Sequence, residues 1–164
     1  MTPPATAGAR RRRSAGLLLY RGSGTGLEVL LVHPGGPVWA RRDDGAWSIP
    51  KGEYEDGEQP LTAARREFEE ELGSPPSAAD DPIDLGEVRQ KSGKLVRAWA
   101  IAGDLDVTQV TSNTFTMQWP PRSGPMCEFP EVDRAQWFGP DEARVKLNPA
   151  QVAFLDRLVD AGGG

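Results

Sequence analysis

The chain has a single cysteine, Cys127. One thiol cannot staple a fold to itself, so a disulfide-built secreted scaffold is excluded. A nucleophilic role for Cys127 stands against the commoner fate of a packed thiol. A single histidine, His33, leaves too few soft ligands for a Cys/His zinc centre. It reads as a strand-end residue without a catalytic role. Long hydrophobic runs are also missing. "AGLLLY" and "VLLV" fall far short of the roughly 20 apolar residues that span a bilayer, so no membrane partner is expected. The arginines at 10–13 are not followed by an apolar signal segment, and the expected location is cytoplasmic. Excess positive charge is lacking as well. A net charge of −5 argues against a nucleic acid polymer or an anionic membrane as partner. It leaves a small phosphorylated ligand open, because a bound cation inverts the local charge.

What is present suits one soluble domain: 164 residues, 38% apolar and 26% charged. Residues 1–12, "MTPPATAGARRR", read as a disordered basic tail, and 13–161 as a single domain. "SAGLLLYR" and "LEVLLVH" predict two strands. The Gly-rich "GSGTG" between them reads as a hairpin loop, since no helix follows it as a phosphate loop requires. Residues 34–59 read as loop. Pro60 opens a helix over "PLTAARREFEEEL", and Gly73 with Pro75 ends it. "IDLGEVRQ" and "KLVRAWAIAG" predict two more strands. Residues 104–127 read as irregular with a strand candidate at "NTFTMQW", followed by a strand at "DRAQWF". A helix signal lies at "PDEARVKL". The terminal amphipathic helix is expected to bury a stripe of Val152, Leu155 and Val159 with Leu158 alongside. Strands and helices mix without regular alternation, which favours an α/β fold with helices packed on a mixed sheet.

The helix at 60–72 carries the chemistry. At about 100° per residue, Leu61, Ala64, Phe68 and Leu72 share the core face. Glu67, Glu70 and Glu71 share the neighbouring sector through i, i+3 and i+4 spacing, while Glu69 points away. Like charges at that spacing repel by a few tenths of a kcal/mol, about 0.2–0.5, on an exposed helix, and more beside a core. A hard divalent cation with oxygen ligands relieves the repulsion. The alternative is a solvated acidic face partnered by Arg65 and Arg66.

The context decides between these. From Gly52 the chain runs five residues to Glu58, seven more to Arg66-Glu67, then Glu70-Glu71 and Gly73. This pattern resembles the Nudix box, the signature of the Nudix hydrolase family. Its last position, normally bulky and aliphatic, is Ser74 here. "WSIPKGE" before the box and "EFPEVDRAQWF" late in the chain are also similar to the family. The resemblance implies a Nudix-type α/β/α sandwich with a mixed β-sheet. It implies Mg²⁺ or Mn²⁺ held by Glu67, Glu70, Glu71 and the backbone carbonyl of Lys51, with one glutamate as base. It also implies that Arg66 orients Glu58 into the site. The late glutamate that often completes such sites is expected at Glu131, then Glu128.

The implied reaction is hydrolysis of a nucleoside diphosphate linked to another group. "KSGKLVRAWAIAG" resembles the corresponding strands of diadenosine polyphosphate and oxidised-nucleotide hydrolases in the family. Dinucleoside polyphosphates or nucleoside triphosphates, oxidised ones included, are therefore the favoured substrates. Phosphate contacts are expected from Lys51, Lys91, Lys94, Arg97 and Arg122. For Lys91, Lys94 and Arg97 the alternative is exposed strand-edge charge that limits aggregation. Trp39, Trp47 and Trp119 are candidates to stack a base, Trp47 being carried forward as the substrate contact, with plain packing as the alternative for each. Homodimers are frequent in the family. The competing function is a non-catalytic nucleotide sensor on the same fold, against which the intact glutamates speak.

Overall fold

Alternation along the first strand dictates the layering. In β1 (Arg13–Arg21), Ala15, Leu17 and Leu19 face one side and Leu18 the other, and all are buried. A strand buried on both faces needs cover on both faces. The computed structural model, which describes residues 13–76 and 81–162, supplies it. The expected tail at 1–12 lies outside the described residues, as do the last two glycines. After β1 come β2 (Glu28–Pro34), β3 (Lys51–Glu53), α1 (Pro60–Leu72), β4 (Ile83–Arg89) and β5 (Leu95–Ala102). These are followed by β6 (Thr114–Gln118), β7 (Met126–Pro130), β8 (Val132–Phe138), α2 (Pro140–Lys146) and α3 (Val152–Asp160).

The main sheet runs β4-β5-β1-β2-β8, and β3 also pairs with β1. β1 and β5 are parallel and the other pairings antiparallel, so the sheet is mixed. On one face Phe68, Ala64 and Leu72 of α1 pack on Leu17, Leu19, Leu30 and Ile101. On the other, Ala143 of α2 and Phe154, Leu155 and Leu158 of α3 pack on Leu18, Leu31 and Phe138. The fold is therefore an α/β/α sandwich. Each fully buried Leu or Phe stabilises it by roughly 1.5–3 kcal/mol.

One irregularity positions the site. β1 pairs with β2 only through Tyr20 and Arg21, whereas its first half pairs with β3: Ser14 with Glu53, Ala15 with Gly52, Gly16 with Lys51. The sheet thus divides beneath α1, and β3 fills the fork. Gly16 permits this, since a Cβ there would lie 2.6 Å from the Pro50 carbonyl oxygen.

Three sequence expectations change. Residues 51–53, read as loop, are β3, a short polar strand made by pairing rather than by any local pattern. The segment read as irregular contains the β6–β7 hairpin, a separate two-stranded sheet. The terminal stripe is Phe154, Leu155 and Leu158, with Val159 43% exposed, because α3 begins at Val152 after a 3-10 turn at Pro149–Gln151 that sets its phase.

Candidate active site

Gly73, in the left-handed conformation at φ 85°, ends α1 and donates its N–H to the Glu69 carbonyl. The helix therefore delivers its last two turns, with the glutamates, over β3. Glu67 is 9% exposed, its carboxylate lying directly above Gly52. Burial raises its pKa, with Glu70 and Glu131 adding to that against the opposing hydrogen bond from Arg66. Glu71 accepts the Lys51 backbone N–H, and burial pushes its pKa up to about 8. Lys51 is held below its ordinary value by burial, with Lys94 nearby pushing the same way. Glu131 is raised by burial and by Glu70. Four carboxylates thus share one partly dehydrated corner.

Arg66 answers most of that charge. Its guanidinium donates to Glu58 at 3.0 and 3.1 Å, to Glu67 at 2.6 Å and to Glu70 at 3.3 Å. The Arg66–Glu58 pair implied by the family resemblance is accompanied by two further bonds to the helix glutamates. As a result, among the described residues no three carboxylates are already gathered around one point as a metal requires. The donor set nevertheless fits a hard cation: oxygens only, in excess negative charge, over a Gly52 whose missing side chain leaves room for the carboxylate.

Glu131 reaches this corner through a chain of backbone hydrogen bonds. The Asn113 N–H donates to the Glu70 carbonyl at 2.9 Å, the Glu131 N–H to the Asn113 carbonyl at 2.8 Å, and the Gly35 N–H to the Glu131 carbonyl at 3.0 Å. A cavity of about 100 Å³ is lined by Lys51, Glu71 and Glu131. Glu128 instead faces Thr114 across the hairpin, 2.8 Å away and exposed.

The expected phosphate contacts separate. Lys94 sits beside the site and pairs with Glu53 at 3.1 Å. Lys91 lies exposed in the same β4–β5 turn. Arg97 is engaged by Asp84 at 2.7 Å and lies over the Trp99 ring. Arg122 is exposed in the β6–β7 turn at φ 71°, its N–H donating to Gln118. Trp47 is a correction. It is 1% exposed, donates its indole N–H to Asp43, and has its ring against His33 and Phe138. It is a core residue with no face left for a base.

His33 was not expected to matter. It is fully buried, and its two ring nitrogens face the Asp133 carboxylate at 2.9 Å and the Arg42 carbonyl at 2.6 Å. It ties the long loop after β2 to β8. Gln151 does the same for the segment before the box: its side-chain oxygen accepts from the Ile49 N–H, and its amide donates to Ser48 and Gln90. No local pattern marks either residue, since both bond partners remote in sequence. His33→Ala leaves two acceptors unpaired beside a new void. Urea denaturation is expected to show a loss of about 1–3 kcal/mol.

Comparison with known proteins agrees with this architecture. A family model described as the NUDIX domain matches residues 10–158. An RNA pyrophosphohydrolase of Rhodospirillum rubrum is 45% identical over 64 residues, an alignment covering only 37% of this chain and 37% of that protein. Among solved structures, the C. elegans Ap4A hydrolase binary complex superposes with a TM-score of 0.59 at 21% identity, over 90% of this chain and 96% of its own. The NUDIX domain of Shewanella oneidensis NrtR, complexed with ADP ribose, gives 0.62 at 13% identity, over 98% and 99%. At such identities these structures share the fold alone.

Proposed function

This chain belongs to the NUDIX domain family, and from that premise we propose that it is a divalent-metal-dependent pyrophosphohydrolase. Its substrate is a nucleoside diphosphate linked to another group, with dinucleoside polyphosphates or nucleoside triphosphates, oxidised ones included, favoured. The observation that carries the reading is the gathering of Glu67, Glu70, Glu71 and Glu131 over Lys51 and Gly52. Such an excess of buried like charge is costly to a fold and is relieved by a cation. The activities named for the Rhodospirillum and C. elegans proteins support the same bond type.

Mg²⁺ or Mn²⁺ would be held by Glu67, Glu70, Glu71, Glu131 and the Lys51 carbonyl, and would supply Lewis acidity and positive charge for the polyphosphate. The chain's own residues do the rest. A water oxygen bonds to phosphorus, the bridging P–O bond breaks, and the leaving phosphate oxygen carries away the electron pair. The water proton passes to a carboxylate, for which Glu70 is the most accessible of the three helix glutamates. Arg66 orients Glu58, Glu67 and Glu70. Lys51 and Lys94 face the incoming phosphates.

The test is hydrolysis of a panel with Mg²⁺, with Mn²⁺ and after chelation. It should span dinucleoside polyphosphates, canonical and oxidised nucleoside triphosphates, ADP-ribose, NADH and nucleotide sugars. Metal-dependent release of phosphate-terminated products is expected. Silence across the panel would support a nucleotide-binding sensor instead.

Arg66 provides a second check. With Arg66→Ala the metal-free protein is expected to lose about 1–2 kcal/mol, a modest figure because the guanidinium is partly solvated. Its melting temperature should then rise more on adding Mg²⁺ than that of the wild type, since Glu67 and Glu70 no longer have a competing partner. Turnover should fall at the same time. An equal or smaller Mg²⁺ response in calorimetry would count against a cation at these carboxylates.

A further inference from the structure

We propose that the β6–β7 hairpin and the loop after β2 together form a ring-binding subsite for the nucleobase of the substrate, with Trp39, Phe115 and Met117 as its specificity-determining side chains. The inference deepens the hydrolase reading and rests on it for the identity of the occupant.

A second cavity, of about 400 Å³, is bounded by Pro34, Gly36, Trp39, Phe115, Met117 and Glu131. Its size falls within the roughly 300–1,000 Å³ of small-molecule pockets. Glu131 lines this cavity and also the smaller one with Lys51 and Glu71, so the two adjoin across a single carboxylate. A ligand with an anionic end at Lys51 and a flat apolar end beyond Glu131 spans both. A nucleotide has that form.

The walls are built rather than incidental. Phe115 and Met117 alternate on β6 and so share a face, and Phe115 is braced by Phe129 across the hairpin at 5.9 Å between ring centres. The hairpin presses on the loop where side chains are missing. A Cβ at Gly35 would lie 2.0 Å from the Pro130 oxygen, and one at Gly36 would lie 2.8 Å from the Phe115 ring. On the loop side, Trp39 is 36% exposed, with the Arg42 guanidinium 5.5 Å from its ring centre. The Arg42 carbonyl in turn is held by buried His33. The indole is thus positioned yet available, which suits stacking on a planar ring. Glu131 is the only charged group among the lining residues, so recognition rests on stacking and shape. The subsite should therefore accept several bases while rejecting substrates that lack a ring.

The test needs a probe that cannot be hydrolysed. Adenosine 5′-monophosphate has no phosphoric anhydride, and inorganic phosphate lacks the ring. With Mg²⁺ present, adenosine monophosphate is expected to shift the indole N–H resonance of Trp39. Trp39→Ala and Met117→Glu are each expected to weaken its binding tenfold or more, while inorganic phosphate binding stays within twofold. Circular dichroism checks that each variant folds, and two variants on separate elements guard against one failing. KM for the best panel substrate should rise in parallel. Unchanged affinity and KM in both variants would overturn the subsite and leave the hydrolase reading intact. Loss of adenosine monophosphate binding in both variants, with no panel hydrolysis by the wild type, would uphold the subsite and sink the hydrolase reading. If the variants instead only convert a dimer to monomer in sedimentation, the cavity is covered by a second copy and the proposal is wrong.

Discussion

Glu70→Gln is expected to lower kcat by about 100- to 10,000-fold while the melting temperature stays near that of the wild type. The substitution keeps shape and removes both charge and basicity. Glu70 is bonded to Arg66 at 3.3 Å and its side chain is 40% exposed, so the fold depends little on its charge. The transition state depends on it more, whether as base or as metal ligand, because a glutamine neither takes the water proton nor offers a full anion. The effect should therefore fall on kcat rather than on substrate affinity. Glu71→Gln makes an informative partner. It should lose turnover too, but its metal-free stability should match or exceed the wild type, since a buried charge beside Glu67 and Glu131 is removed. Steady-state kinetics on the best panel substrate, with thermal denaturation alongside, decides the matter. Glu70→Gln turnover within tenfold of the wild type would refute the assignment of this helix face.

The contrast between these glutamates and the rest of the site shows what a single sequence can and cannot convey. The face shared by Glu67, Glu70 and Glu71 follows from helical period, a local property, and α1 begins and ends where Pro60 and Gly73 signal. The α/β/α layering follows likewise from strands apolar on both sides. What was illegible depends on partners far along the chain. Trp47 and Trp39 are alike in sequence context, eight residues apart in one loop. Only the docking of Phe138 and His33 makes the first a core residue. Glu128 and Glu131 are equally acidic and three residues apart. The choice between them is made by the backbone bonds linking Glu131 to Asn113 and Gly35. β3 has no pattern of its own, because three residues with polar ends become a strand only when β1 offers them an edge. Arg97, expected at a phosphate, is bound to Asp84 across the β4–β5 pair, a neighbour set by register.

Gly52→Ala is expected to reduce turnover by about 100-fold or more with the fold retained. The reason is distance, not backbone freedom, since Gly52 lies in a paired strand opposite Ala15. A Cβ at this position would lie 1.9 Å from a Glu67 carboxylate oxygen and 2.0 Å from its carboxyl carbon. The carboxylate is the mobile end of a side chain, so it can swing away and the protein should still fold. It cannot do so without breaking its 2.6 Å bond to Arg66 and leaving its place above β3. Displacing a catalytic group by about 1 Å is enough to cost roughly 100-fold in rate. Gly24→Ala is the matched control. Gly24 has a positive φ of 55° and open space around its absent side chain, in the turn between β1 and β2. It should lose about 1 kcal/mol of stability through backbone strain and keep its turnover. If both alanine variants lose activity alike, general destabilisation explains the effect. If only Gly52→Ala does, β3 is the floor on which Glu67 must rest for the reaction to proceed.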